Sequence, residues 1–166
     1  MAKASLGKLI AVLPRSPAGT AQINTYGDTV YNFLPYPQLG QSAIVFNVQG
    51  CGITCVIDIL LSSSSLYPDP AAQTIQIDIS ATTSLTMSLI HSPRGTRTGT
   101  LTSSSWYWVR WLNGVVSVGT GSTVGGGTSI VSFTDPAAST VAYAALASTG
   151  AALTYVVNVP GPLRPI

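Results

Sequence analysis

Residues 106–118, WYWVRWLNGVVSV, hold two apolar runs joined by Asn113-Gly114. Asn-Gly between two such runs is a strong hairpin signal, because both turn positions need a positive φ that these residues tolerate. Side chains alternate between the two faces of a strand, so one face of this hairpin should be buried while the other points outwards. We expect the buried face to carry Tyr107, Val109 and Trp111, and the outer face to carry Trp106, Trp108 and Arg110.

Short strand patterns continue on both sides of this hairpin. Residues 43–49 and 54–61 are rich in β-branched and apolar side chains, and the glycine-containing turn between them suggests a second hairpin. Residues 74–80 and 84–90 alternate apolar and polar side chains, which predicts a third hairpin. Three more strand patterns occupy residues 129–134, 140–146 and 153–159.

About eight strands, with no amphipathic helix between them, predict an all-β fold, namely an antiparallel β-sandwich of two packed sheets. A barrel is the alternative. The alternation within each strand identifies the side chains that should fill the space between the sheets. The predicted core consists of Phe46, Val48, Ile57, Ile59, Ile75, Ile77, Leu85, Met87, Val109, Trp111, Val131 and Phe133.

The two ends of the chain differ from its centre. Residues 1–25 predict an extended N-terminal arm, residues 26–159 the sandwich, and the proline-rich residues 160–166 a C-terminal tail. The apolar run at residues 9–13 is shorter than the roughly 7 to 15 residues of a signal peptide. We therefore expect no signal peptide, and no apolar stretch is long enough for a membrane span.

Charge is scarce in this sequence. Charged residues make up 7% of the chain, with a net charge of +2 and no Glu, against about 25% in an average soluble domain. Nucleic-acid binding needs several cations on one face, and the seven Lys and Arg are scattered, so the sequence gives no strong signal for a nucleic-acid partner. A near-neutral surface favours self-association, which predicts that the chain's main partner is itself.

The two cysteines, Cys51 and Cys55, leave two interpretations open. Along a continuous strand they would lie about 13 Å apart, too far for a disulfide. A turn at residues 50–52 would bring them face to face, so they are either bonded or two small buried thiols. Their spacing, without a nearby His, does not support a zinc site.

Catalytic residues are few. His91 is the only histidine, so a serine triad would need it with Asp58 or Asp78, and no Gly-x-Ser-x-Gly turn nominates a nucleophile. We interpret His91 as a structural residue at a strand end, and both Asp side chains as solvent-facing. Asp69 and Asp135 precede prolines and are typical of turns, with too few carboxylates for calcium. We therefore predict no catalytic residue, cofactor or metal, and no enzyme activity.

The outer face of the aromatic hairpin is the candidate binding surface. Sugars stack on aromatic rings while Asn, Asp and Arg side chains bind their hydroxyls. Trp106, Trp108 and Arg110 could therefore form a platform for glycans. The alternative is that the same side chains pack against the protein or a neighbouring subunit.

The order of several short motifs resembles the domain family named after farnesoic acid O-methyltransferase. The resemblance spans residues 26–157, and its most specific part is Trp-x-x-Trp at 108–111, Asn-Gly at 113–114 and Val-Gly-x-Gly at 118–121. Further matches are Phe-x-Val at 46–48, the strands at 55–61 and 74–90, Phe-Thr-Asp-Pro at 133–136, and the segments 141–143 and 146–148.

This resemblance implies a non-enzymatic β-sandwich module of the kind found in extracellular or surface proteins, with a recognition or scaffolding role. It does not imply methyltransferase chemistry, because the glycines at 119–121 and 125–127 lie between strands and not in a βαβ unit.

Together these observations predict a structural, self-assembling subunit of a homo-oligomeric surface assembly, such as a virion shell or an extracellular filament. The alternative is a lectin-like carbohydrate-binding or recognition module. Either function predicts a location on an extracellular surface or in a virion.

Overall fold

A computed structural model describes residues 19–34, 42–51, 55–82, 86–93, 95–127 and 129–159. Within these ranges the chain forms β-strands and one short 3-10 helix, and no α-helix. The predicted tail, residues 160–166, and residues 1–18 of the predicted arm lie outside the described residues. The all-β fold class is confirmed.

Twelve strands lie within the described residues, where about eight were predicted. The strands without a predicted counterpart, β1, β2 and β7, are short or polar and bury few side chains. The strands are β1 Gly19–Asn24, β2 Asn32–Phe33, β3 Ala43–Gln49, β4 Val56–Ser62, β5 Thr74–Ala81, β6 Thr86–Ser92, β7 Arg97–Thr102, β8 Trp106–Leu112, β9 Val115–Thr120, β10 Ile130–Thr134, β11 Tyr143–Thr149 and β12 Thr154–Val159, and the 3-10 helix is Pro136–Thr140.

The strands form two antiparallel sheets of six. The first sheet has the order β1-β12-β3-β8-β9-β10, and the second has the order β2-β11-β4-β5-β6-β7. The strands β1-β12-β3-β8 facing β2-β11-β4-β5 follow the order of an eight-stranded jelly roll, which is a double-sheet sandwich. The pairs β6-β7 and β9-β10 extend the two sheets at the same end. The molecule is therefore a sandwich and not the alternative barrel.

Two of the three predicted hairpins are confirmed. β8 and β9 pair around Asn113 and Gly114, both of which have positive φ, and β5 pairs with β6. The hairpin predicted from residues 43–49 and 54–61 is wrong. β3 belongs to the first sheet and β4 to the second, because the chain turns a corner after Gly50 and crosses between the sheets.

The corner after β3 brings the two cysteines together, which decides between a disulfide and two buried thiols. Cys51 and Cys55 form a disulfide, with their Cα atoms 5.4 Å apart. Cys55 is buried, and Cys51 packs at the margin of the core. The bond therefore closes the point at which the chain passes from one sheet to the other.

The first strand begins inside the range predicted as an arm. β1 pairs with β12 in register from Gly19 opposite Val159 to Asn24 opposite Thr154. Residues 19–24 of the predicted arm therefore form a strand of the first sheet. The sequence GTAQIN did not predict a strand because Ile23 is its only buried side chain.

The predicted core fills the space between the sheets. The inward side chains of β4 and β5 are fully buried isoleucines and leucine, and Tyr155 of the first sheet donates a hydrogen bond to the Ala147 carbonyl of the second at 2.6 Å. Val131 is partly buried, and Leu85 lies outside the described residues. The other predicted core residues are buried, namely Phe46, Val48, Ile57, Ile59, Ile75, Ile77, Met87, Val109, Trp111 and Phe133.

Candidate functional sites

The aromatic strand β8 has the predicted orientation, with Tyr107, Val109 and Trp111 in the core. Its outer face differs from the prediction, because Trp108 is only 1% exposed. The indole lies against Gly119, where a Cβ atom would come within 2.2 Å of the ring. Its Nε1 donates to the carbonyls of Thr120 at 3.3 Å and Gly126 at 3.2 Å. The ring is therefore enclosed by β9 and the loop that follows it.

This burial corrects the predicted ligand platform. Trp106 and Arg110 are half-buried on the outer face of the first sheet, but Trp108 between them presents no free ring face. Gly119 explains the difference, since a side chain at this position would occupy the space of the indole. A platform of three side chains is therefore not present.

A pocket lies instead on the outer face of the second sheet. It has a volume of about 520 Å³ and is lined by side chains of β4, β5, β6 and β11, together with two segments outside the strands. One segment precedes β2 and contributes Tyr31, and the other is the loop between β4 and β5, which contributes Tyr67. Sequence analysis did not identify this pocket.

Two carboxylates lie at the centre of the pocket. Asp58 on β4 is directly opposite Asp78 on β5. Asp58 is 3% exposed and accepts a hydrogen bond from the Thr149 hydroxyl at 2.7 Å. The prediction that both carboxylates face solvent is wrong for Asp58, because Thr149 and the segment before β2 cover it.

Burial and the neighbouring carboxyl change the acidity of this site. Desolvation is the largest cause that raises the pKa of Asp58 to about 6, and Asp78 raises it too, while the Thr149 hydrogen bond lowers it. Burial, Asp58 and Asp78 likewise raise the pKa of Tyr31. The Tyr31 hydroxyl therefore stays protonated and can donate a hydrogen bond.

The aromatic rings and polar side chains of the pocket are held in place by their own contacts. Tyr31 and Tyr67 make an edge-to-face contact with ring centroids 4.9 Å apart. The Gln76 amide donates to the Tyr67 hydroxyl at 2.7 Å. The hydroxyls of Thr29 and Thr149 are 2.6 Å apart, next to Asp58. These contacts fix the lining side chains relative to one another.

His91 pairs with neither Asp58 nor Asp78. Its side chain points into the sandwich, where Nε2 lies 3.0 Å from the Asp135 carboxylate and the ring stacks on Phe133 with centroids 4.9 Å apart. Asp135 also accepts from the Ala137 amide and so caps the 3-10 helix. Both side chains are buried, and their contact links the two sheets. This arrangement agrees with a structural role for His91.

The four edge strands of the two sheets are nearly free of charge. Among the described strands, β1 and β10 are the edges of the first sheet, and β2 and β7 are the edges of the second. The sequences are GTAQIN, IVSFT, NF and RTGTLT, so Arg97 is the only charged residue on any of them.

No helix in the part of the chain that the structure describes is long and apolar enough to cross a membrane. The same residues contain no group of three or more His, Cys, Asp or Glu side chains arranged for a metal.

No family model matches the chain, and no curated protein matches it. The resemblance to the farnesoic acid O-methyltransferase-like domains therefore stays a prediction.

Proposed function

We propose that this protein is a structural subunit that assembles with copies of itself, in a virion shell or an extracellular filament. The observation that carries the proposal is the chemistry of the sheet edges. An edge strand presents unpaired backbone N–H and C=O groups, and proteins that stay monomeric commonly protect such edges with charges or prolines. Among the described edge strands, only β7 bears a charge and none contains a proline.

Two of these edges suit pairing with another copy. β1 has six residues and β10 has five, which is long enough for several intermolecular hydrogen bonds. Ile130 at the start of β10 is 50% exposed, so an apolar contact would accompany the backbone pairing. Association through β1 and β10 would extend the first sheet from one copy to the next.

The composition and the fold support the same function. A chain with 7% charged residues has little electrostatic repulsion to keep copies apart. Jelly rolls occur in viral capsid subunits and in lectins, although the fold alone does not establish a function. The disulfide is typical of oxidising surroundings, which supports an extracellular or virion location.

Edge-charge variants test the proposal. Gln22→Lys on β1 and Ile130→Lys on β10 each place a cation on an exposed edge position. Ser122→Lys adds the same charge to the exposed loop after β9 and serves as the control. Light scattering after size exclusion should give the wild type and the control a multiple of 17.1 kDa. The double edge variant should be a monomer with an unchanged circular dichroism spectrum.

Two results would overturn the proposal. The first is a wild-type chain that remains at 17.1 kDa throughout the micromolar range. The second is a double edge variant that assembles as well as the wild type. The resemblance to extracellular β-sandwich modules would then be the remaining guide to its role.

The lectin-like alternative needs a different surface from the one predicted. Trp108 is enclosed, so Trp106 and Arg110 would have to bind a glycan without its ring. The pocket of the second sheet offers the more complete set of aromatic and polar groups.

A further inference from the structure

We propose that the pocket on the outer face of the second sheet binds a neutral saccharide. This proposal does not depend on self-assembly, because the pocket is formed by one copy and lies on a sheet face. Its volume of about 520 Å³ falls within the roughly 300 to 1,000 Å³ of small-molecule sites.

The carboxylates supply the acceptors that sugar hydroxyls need. Asp58 and Asp78 lie directly opposite each other in the register of β4 and β5. Hydroxyl groups that donate to a carboxylate form charge-assisted hydrogen bonds, which are stronger than neutral ones. Asp78 is only half-buried and can accept a sugar hydroxyl, while Asp58 beside it is covered by Thr149.

The pocket also contains donors, which distinguishes it from a simple acidic cluster. The Tyr67 hydroxyl receives a hydrogen bond from Gln76, so its own proton is available for another acceptor. The Tyr31 hydroxyl stays protonated, and Ser80 lines the same pocket. A ligand that both donates and accepts at neighbouring atoms matches this mixture.

Apolar side chains at the rim complete the match. Tyr67 is 42% exposed and Ile90 is 40% exposed, and both line the pocket. The C–H face of a pyranose ring packs on such surfaces while its hydroxyls point elsewhere. The edge-to-face contact with Tyr31 holds the Tyr67 ring in place.

Other ligand classes fit the lining less well. No Lys or Arg lines the pocket, so a phosphate, sulfate or carboxylate ligand would meet two carboxylates and no cation. An organic cation would satisfy the carboxylates but leave the tyrosine donors without acceptors. Like charges directly opposite each other destabilise a sheet, so sheet stability alone does not account for the pairing of Asp58 with Asp78.

Saturation-transfer difference NMR on the full chain tests this proposal, and it works for large assemblies too. The probes are free glucose, galactose, mannose, fucose and N-acetylglucosamine at millimolar concentration, followed by an array of oligosaccharides. We expect at least one saccharide to bind the wild type. Tyr67→Ala and Asp78→Asn should each weaken binding about tenfold or more, equivalent to about 1.4 kcal/mol. Trp106→Ala on the other sheet should leave it unchanged.

Several outcomes would overturn the proposal. One is a wild type that binds no saccharide in solution or on the array. Another is binding that Trp106→Ala abolishes while Tyr67→Ala and Asp78→Asn do not, which would return the site to the aromatic strand. A third is binding of choline but of no sugar. Thermal melts of each variant exclude loss of fold as the cause, and the conservative variant Tyr67→Phe separates the ring from its hydroxyl.

Discussion

Asp58 is a buried carboxyl group, and its burial disfavours the charged form. It is 3% exposed and lies opposite Asp78, with Tyr31 and Tyr67 as the other titratable groups of the pocket and Tyr155 behind the sheet. Burial raises its pKa to about 6, above the value near 4 of a free aspartate. The folded chain therefore binds a proton at Asp58 more tightly than the unfolded chain does.

The sign of the pH effect follows from that difference. Protonation of Asp58 stabilises the fold fully below about pH 4, and the stabilisation is lost as the pH rises through about 6. We predict that the free energy of unfolding is larger at pH 5 than at pH 7.5, by about 1 kcal/mol. Urea unfolding at the two pH values measures it.

Asp58→Asn provides the control for this prediction. The amide oxygen can still accept from Thr149, so the variant should be at least as stable as the wild type at pH 7.5 and should lack this pH dependence. Equal stability of the wild type at both pH values would contradict the assignment of Asp58 as a group with a raised pKa.

Gly119 is a second residue whose role is clear only from the structure. The Trp108 ring occupies the space that a side chain at this position would need. We predict that Gly119→Ala lowers the free energy of unfolding by about 1 to 3 kcal/mol, because it overpacks the contact. Gly19→Ala meets nothing within 4 Å and should change stability by less than about 0.5 kcal/mol. Similar losses in the two variants, measured by urea unfolding, would refute the role of Trp108.

At the scale of elements, local signals decided what the sequence could predict. Asn113-Gly114 specified the β8-β9 hairpin, because the turn chemistry is unambiguous. The turn at residues 50–55 was ambiguous, since a glycine-containing turn can close a hairpin or carry the chain to the opposite sheet. β1 and β7 were missed because each buries one side chain, Ile23 and Leu101.

The ambiguity of the turn at residues 50–55 is also the reason why the pocket of the second sheet was not predicted. The segments 57–59 and 77–79 both read Ile-Asp-Ile, and pairing β4 with β5 would have placed the two Asp side chains opposite each other. The pairing of residues 43–49 with 54–61 instead separated them. The burial of Trp108 could not be predicted either, because a loop that folds back on a strand leaves no periodic pattern.

The corner between β3 and β4 supports a prediction about the disulfide. Cys51 and Cys55 are four positions apart, so the bond closes a short loop. Loop-closure entropy for such a loop is worth about 2 kcal/mol. We predict that the double variant Cys51→Ala, Cys55→Ala folds and loses at most about that much stability. Mass spectrometry after alkylation without reductant should find no free thiol in the wild type, and two alkylated cysteines would contradict the bond.

At the scale of the whole molecule, the low charge and the unprotected sheet edges would both favour association between copies. The two packed sheets bury the apolar side chains of a single copy, so self-assembly does not have to complete the core. Among the described residues, isolated apolar side chains such as Ile130 and Leu112 stay exposed. We therefore expect copies to associate as folded subunits, with little change within each sandwich.

Amide hydrogen exchange at two protein concentrations tests this account most directly. The account predicts that the β1 and β10 amides not bonded within the copy exchange slowly at high concentration and rapidly on dilution. The amides of β4 and β5, at the centre of the second sheet, should be equally protected at both. Rapid exchange of the β1 and β10 edge amides at every concentration would contradict assembly through the sheet edges.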